Sequence, residues 1–318
     1  MGRYTLIEMF RTEGRVTSSV DDMGEGSWIR LSAPTLDEVD TIADIFGLER
    51  DDVLAATDLE EKARVEYEGD TMMILVDVPS SGEIHGEQAR NTVPLCIILT
   101  KSNVITICSE RFALLDDFSS GRVRGFSTWR HSRFACSILL RLGVFYQQVL
   151  ADIDRKRLAL EGRMDRSINE SDLFDLHTLE SSLVYLSTSL QGNANVLGRL
   201  RRSSRLLQHE GLDEELEDAV MEHQQAIEMA QIYRNVIDGT RDLMSSVMDL
   251  RLNEVMRRLT VITVVLSIPT IISGFYGMNV DTRWMPFANT MHGFTLISLL
   301  TALVCWLLII LLKKRHVF

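Results

Sequence analysis

The twenty residues from Leu259 to Met278, LTVITVVLSIPTIISGFYGM, carry no charge. That length suits a helix crossing a bilayer core about 30 Å thick. A helix in lipid is normally apolar all round, yet Thr260, Thr263, Ser267, Thr270 and Gly274 recur here at spacings of three, four, three and four. They therefore share one face. Val261, Ile262, Val264, Val265, Leu266, Ile268, Ile271 and Ile272 supply hydrocarbon around the rest of the helix. An uncharged polar stripe of this kind suits two uses, the close packing of membrane helices and the wall of a watery path. Pro269 and Gly274 loosen the end of the helix. The chain then turns through Tyr276-Gly277-Met278-Asn279, where Gly permits close backbone approach and Asn offers a neutral amide.

A second uncharged run, Gly293 to Leu312, is again of membrane-spanning length, and no comparable run precedes Leu259. The membrane part is thus expected only in the last fifth of the 318 residues, and charge divides at the same place. The first 254 residues hold 27 Lys and Arg against 44 Asp and Glu, a net −17, whereas the remainder is +5 with Asp281 as its single acid. Such an acidic body argues against nucleic acid as a partner and suits cations. Arg257 and Arg258 precede the first span and Lys313, Lys314 and Arg315 follow the second, with only Arg283 between the spans. By the positive-inside rule both termini are expected to be cytoplasmic. The opening MGRYTLIEMF lacks the layout of a cleaved signal, so the large domain is expected to stay inside. Cys96, Cys108, Cys136 and Cys305 are scattered without zinc-site spacing, and read as buried thiols of a reducing compartment. The seven histidines form no close cluster either.

The fold class expected is an α+β membrane protein. A cytoplasmic α/β domain occupies residues 1–125, a helical and stalk region 126–258, and a transmembrane region 259–318. Within the last, the first span covers about 259–276, a loop 277–292, the second span about 293–312 and a basic tail 313–318. Tyr4 to Phe10, Ser27 to Leu31, Thr71 to Val78, Val93 to Thr100 and Val104 to Cys108 read as strands, being rich in Ile, Val and Thr between turn residues. Pro34-Thr35 with Asp37 and Glu38 marks a helix start, Leu36, Val39, Ile42, Ala43 and Phe46 its buried face and Gly47 its stop. Gly24-Glu25-Gly26 is a turn and too short for a phosphate loop. No nucleophile, base and orienter fall together, so no enzyme is expected.

From Leu95 to Ile268 there is no proline, which favours long helices. One is expected over about His131 to Ile168. A second spans about Asp172 to Leu207, with Leu173, Leu176, Leu179, Leu183, Leu186 and Leu190 as a packing row. Gly211 breaks the chain. From Asp213 a third continues without a convincing stop to Gly274, with Leu216, Val220, Ile227, Ala230, Ile237, Met244, Val247, Leu252 and Val255 in helical period. About 60 residues at 1.5 Å each make a rod of ~90 Å, which must pack its stripe on other helices. It is expected to be a stalk shared among subunits, since two spans in one chain cannot enclose a path.

The sequence DLRLNEVMRRLT, the apolar span with Pro269, and the YGMN ending resemble the CorA family of magnesium channels. WIRLSAPTLDEVDTIADIFGL and VEYEGDTMMILVDVP resemble that family's amino-terminal domain less specifically. The resemblance implies a homopentamer in the cytoplasmic membrane that takes up Mg²⁺, with Co²⁺ or Ni²⁺ as further cargo and no organic cofactor. It implies a filter at Gly277, Met278 and Asn279, and a path lined by residues matching Asn253, Met256, Leu259 and Thr270. The spacing itself places Met256 and Asn253 on nearly the same face as Thr263, Ser267 and Gly274, with Leu259 beside it. The family is closed by cytoplasmic Mg²⁺ held on interfacial acids, for which Asp218 and Asp242 are the candidates by position. The tail of Lys313, Lys314 and Arg315 would lie near the pore. Many members follow the GMN with Met-Pro-Glu, whereas here Phe287 stands in place of the acid and Arg283 offsets Asp281. His292 leaves room for a softer metal, so a zinc transporter of the same family is the alternative reading. A non-conducting membrane-anchored divalent sensor or scaffold is the other, in which the stripe only packs helices.

Overall fold

The computed structural model describes residues 7–14, 16–80, 92–123, 125–163, 169–203, 212–281, 283, 285–287 and 290–314. The chain divides into two compact units, Met1–Arg241 and Asp242–Phe318.

The first unit is built on a seven-stranded sheet. Its strands are β1 (Ile7–Glu13), β2 (Val16–Ser19), β3 (Ser27–Ser32), β4 (Arg64–Glu68), β5 (Thr71–Pro79), β6 (Thr92–Leu99) and β7 (Val104–Cys108). In space they run β2-β1-β3-β7-β6-β5-β4, antiparallel throughout except for the parallel pair β3 and β7. A parallel pair needs a long crossover, and here it is the chain from Ala33 to Asn103, which carries two helices and three strands. Because side chains alternate along a strand, β3 sends Ile29 and Leu31 to one face and Trp28 and Arg30 to the other. All four are buried, so the sheet is covered on both sides.

On the first face lie α1 (Leu36–Phe46) and α2 (Arg50–Ala55), whose Val39, Ile42, Ala43 and Val53 join Ile29, Leu31, Met73, Leu75, Cys96, Ile98, Ile105 and Ile107 in one core. Helix α1 starts on a capping box, Thr35 Oγ1 accepting from Glu38 N at 3.4 Å and Glu38 Oε2 accepting from Thr35 N at 2.8 Å. It stops at Gly47, whose φ of +64° is left-handed. Leu36, expected on the buried face, is exposed: as the first residue of the helix it points outward ahead of the first turn that meets the sheet.

The second face carries α3 (Ala113–Ser119), α4 (His131–Glu161) and α5 (Glu170–Leu200). Phe10, Trp28, Phe118, Phe126 and Phe134 stack there with ring centroids 5.0–5.3 Å apart. Helix α4 is long and apolar enough to cross a membrane by composition alone. Its Phe134, Ile138, Leu139, Leu142 and Tyr146 are instead fully buried against this domain, which accounts for its apolar character. The leucine row of α5 packs as expected at Leu176, Leu179, Leu183, Leu186 and Leu190, with Leu173 half-buried. The expected ends at Ile168 and Leu207 and the break at Gly211 lie outside the described residues.

Helix α6 (Leu212–Tyr276) runs for 65 residues and passes from the first unit into the second. Within the first unit it buries Leu216, Ala219, His223, Ala226, Ile227, Ala230 and Ile237. Gly143 of α4 allows this approach, since a Cβ there would lie 2.8 Å from Glu222 Cβ and 2.9 Å from His223 Nδ1. The second unit holds the rest of α6 and α7 (Gly293–Lys314).

Candidate functional site

In the second unit the two helices pack through a definable pair of faces. On α6 the residues withdrawn from solvent are Val261, Val265, Ile268, Ile272 and Tyr276; on α7 they are Ile297, Thr301, Cys305, Leu308 and Leu312. Both sets recur at spacings of three and four, so each is one helix face. Pro269 lies inside this stretch of α6 and has no N–H to give the carbonyl four residues earlier, which is Val265 O. Cys305 Sγ lies 3.8 Å from that oxygen and donates to it in place of the missing helical bond. A thiol on the neighbouring helix thus satisfies a backbone group that lipid would leave bare.

Asn253, Met256, Thr260, Thr263, Ser267, Thr270 and Gly274 occupy the other side of α6 at spacings of three and four, and every one of them is exposed, as is Gly277 just past its end. At 100° per residue the stripe is centred roughly 155° from the face that meets α7. Leu259 is exposed beside it. The polar stripe is therefore not the surface on which this chain packs its own two spans. Its hydroxyls donate back to the helix: Thr260 to Met256 O at 2.8 Å, Thr263 to Leu259 O at 2.9 Å, Ser267 to Val264 O at 2.7 Å and Thr270 to Leu266 O at 2.9 Å. With the protons engaged, the oxygen lone pairs face outward as neutral acceptors.

Past the helix, Gly277 N bonds Ser273 O at 2.9 Å and Met278 N bonds Phe275 O at 3.3 Å. Gly277 is not in the left-handed region; a Cβ there would instead stand 3.3 Å from Ser273 O and 3.6 Å from Gly274 O. Its need for glycine is close approach rather than an unusual backbone angle. Asn279 is exposed and its amide has no protein partner among the described residues. Tyr276 Oη donates to Pro286 O at 2.6 Å, tying the far end of the loop back to the end of α6. Phe287 adopts φ +63°, a conformation a bulky residue rarely takes. Its carbonyl accepts Thr290 Oγ1 at 2.8 Å and lies where any β-carbon at the buried Gly293 would overlap it. The loop is thus closed by aromatic and backbone contacts. Asp281 accepts from Arg283 N at 3.0 Å and is exposed, as is His292.

The candidate regulatory acids sit in separate units. Asp218 is exposed on α6 and lines a groove of about 760 Å³ with Asp116, Asp117, Arg122, Arg141 and Glu222. Asp117 is paired with Arg122 at 2.8 Å. Burial pushes the Asp116 carboxyl up, but hydrogen bonds from Arg111 and Arg30 outweigh it and hold the group below its usual range. Asp242 is exposed, and among the described residues neither acid belongs to a group of three metal-ligating side chains. Lys313 and Lys314 end α7, and Arg315 lies outside the described residues. Cys96, Cys108 and Cys136 are buried thiols, pushed up by desolvation, to about 11 for Cys108 and about 12 for Cys136.

The first unit is an α/β domain, and beyond it a 65-residue helix and a terminal helix are each long and apolar enough to cross a membrane, the former with an exposed polar stripe. The profile of the family described as CorA-like Mg²⁺ transporter protein matches residues 24–314, and the chain belongs to that family. It is 24% identical over 296 residues to the cobalt/magnesium transport protein CorA of Methanocaldococcus jannaschii, covering 90% of each chain. Its fold matches the complete structure of the CorA magnesium transporter from that organism at a TM-score of 0.79, with 22% identity over 98% of this chain and 99% of the other. The cytoplasmic domain of ZntB from Vibrio parahaemolyticus also shares the fold, at a TM-score of 0.61 and 12% identity over 76% of this chain and 97% of the other.

Proposed function

We propose that the chain is one subunit of a homo-oligomeric divalent-cation channel in the cytoplasmic membrane, with Mg²⁺ as its main cargo and Co²⁺ or Ni²⁺ as further ones. The observation that carries this reading is the placement of the polar stripe on the side of α6 away from α7, fully exposed in one copy. Several copies around an axis would join those stripes into a wall. Five is the number the family resemblance implies. Both termini lie on the cytoplasmic side in this reading, and the acidic body meets ions after passage.

The chemistry of the wall suits an ion that keeps its water. Mg²⁺ gives up its hydration reluctantly, and a ring of carboxylates in a narrow path would hold it too firmly to release it. Outward hydroxyl lone pairs, the Asn253 and Asn279 amides and freed backbone carbonyls accept hydrogen bonds from the ion's water shell instead. Met256 and Leu259, exposed at one end of the stripe, form an apolar ring that closes by dewetting. No nucleotide is needed: a divalent ion crossing 100 mV gains about 4.6 kcal/mol, enough for more than a thousandfold accumulation.

The mouth favours one further reading. Phe287 in place of an acid and an exposed His292 suit a softer cation, so zinc transport is the second reading. Proteoliposomes loaded with indicator decide between them: Mg²⁺ flux without Zn²⁺ flux supports the first, and the reverse the second. The wall itself is tested with single cysteines in the full-length protein in membranes. Water-soluble thiol reagents are expected to modify positions 263, 267 and 270 and to spare 261, 265 and 272. Equal protection on both faces would overturn the wall and favour a scaffold.

A further inference from the structure

Two helix segments distant in sequence bring four cations to one level of the second unit. Val265 and Cys305 lie side by side, joined by the 3.8 Å contact between Cys305 Sγ and Val265 O. Arg257 is eight residues before Val265 on α6, and Lys313 is eight residues after Cys305 on α7. The helices run in opposite directions, so both lie about 12 Å from that contact on the same side, at 1.5 Å per residue. Arg258 and Lys314 share the layer, and all four side chains are exposed.

The acids of this unit are Asp242, Asp249, Glu254 and Asp281, and only Glu254 reaches the level of the cations. It is taken by an ion pair with Arg258. The side chains of Arg257, Lys313 and Lys314 have no ion pair or hydrogen bond among the described residues, so the layer holds three uncompensated positive charges. A helix C-terminus attracts cations, which accounts for Lys313 and Lys314. It does not account for Arg257 and Arg258, which stand well inside α6, far from either end. Immediately beyond them begin the two uncharged spans, so the layer falls where the hydrocarbon of a bilayer gives way to its headgroups.

We propose that this layer is a binding site for the phosphate headgroup of an anionic phospholipid, held by Arg257 of α6 and Lys314 of α7, which at 100° per residue fall on one side of the antiparallel pair. Arg257 presents a planar fork that matches phosphate oxygens in two hydrogen bonds, and Lys314 adds a point charge from the other helix. A lipid rather than a free anion is the occupant because its acyl chains lie along the exposed hydrocarbon of Leu300, Val304, Leu307 and Leu311 on α7. The inference rests on the membrane placement of the proposed function and not on conduction.

The test uses the full-length protein, purified in mild detergent, with phosphatidylglycerol, phosphatidylcholine or inorganic phosphate added, and lipid retention read by native mass spectrometry. Phosphatidylglycerol is expected to be retained over phosphatidylcholine, and its retention to fall roughly fivefold for each cation removed in Arg257→Gln and Lys314→Gln. Arg283→Gln, at the opposite end of the spans, serves as the control and is expected to change nothing. Should the variant combining both substitutions fail to insert, Lys314→Gln alone carries the test, and the charge-keeping Arg257→Lys is expected to retain lipid less well than the parent. Equal retention of both lipids, an equal fall in Arg283→Gln, or displacement of the lipid by millimolar inorganic phosphate would overturn the proposal. Retention is read without ion flux, so a chain that conducts nothing can still pass this test and one that conducts can fail it.

Discussion

Asn279 follows the last turn of α6 with an exposed side-chain amide that bonds no other described residue. Removing the amide should therefore leave packing untouched and remove only what it offers to water or ion. Asn279→Ala is expected to abolish Mg²⁺ uptake into proteoliposomes while the oligomer survives on size exclusion; wild-type flux would refute a filter role. Gly277 behaves differently. Its backbone angle is ordinary, and an added methyl meets Ser273 O at 3.3 Å, a tightness that a shift of a few tenths of an ångström relieves. Gly277→Ala should lower flux without ending it. At Cys305 the thiol stands in for the N–H that Pro269 lacks. Cys305→Val, which keeps the volume and loses the donor, is expected to cost about 0.5–1 kcal/mol in detergent unfolding, whereas Cys305→Ser should be close to neutral. Equal losses in both would show that the site is only packing.

At the scale of elements, α6 holds together two kinds of chemistry. Its membrane stretch was readable from the sequence because period and charge agree there: Thr260, Thr263, Ser267, Thr270 and Gly274 mark one face in residues that otherwise have none. Strands β3, β5, β6 and β7 were readable for the same reason, since buried β-branched runs have few other homes. Strands β2 and β4 were not. VTSS and RVEYE are polar edge strands, mostly exposed, and it is the neighbouring strand rather than any buried face that makes them extended. Nor does the sequence show which side of α6 meets α7, because Val, Ile and Leu fill every direction outside the stripe; the withdrawal of Val261, Val265, Ile268 and Ile272 from solvent and the contact of Cys305 with Val265 fix that. His223 was invisible as well. It lies 1% exposed on α6 against Gly143 and Tyr146, its Nδ1 2.9 Å from Ala219 O and its Nε2 without a partner among the described residues. Desolvation lowers its pKa, outweighing the Ala219 carbonyl and Glu222, which act the other way. An unfolded chain takes up a proton near the ordinary value of 6.5 that the folded ring resists. This contribution to stability is therefore complete above pH 6.5 and declines as pH falls below it, and His131, lowered by its own burial, acts in the same window. Thermal unfolding of the full chain followed from pH 7.5 to 5 should show a falling midpoint, and His223→Gln should flatten it. An unchanged slope would mean that His223 takes up its proton as readily in the fold as in the unfolded chain.

For the whole molecule the dominant quantity is the net −17 of the first 254 residues against the +5 that follows. Multiplied over the subunits of an oligomer, such a body repels itself, and the repulsion reaches about 8 Å at physiological ionic strength. Close contact between acidic faces then requires bound cations, and ion binding and assembly must favour each other by the same factor. We propose this as the gate of the channel: at high cytoplasmic Mg²⁺ the faces would be neutralised and the Met256 and Leu259 ring would stay shut, and on chelation the subunits would loosen. Asp218 and Asp242 are proposed as contributors because both are exposed, and neither has an ion pair among the described residues. Replacing both, Asp218→Asn with Asp242→Asn, should reduce the protection that millimolar Mg²⁺ gives the soluble domain against protease and move the Mg²⁺ concentration at which flux stops. Neutralisation removes ligands and repulsion together, so the midpoint moves up if ligand loss dominates and down if relief of repulsion dominates. Either movement ties the two acids to the gate. Proteolysis and flux that respond to Mg²⁺ as in the parent would make Asp218 and Asp242 solvated surface and place the sensor among the other acids of the first unit.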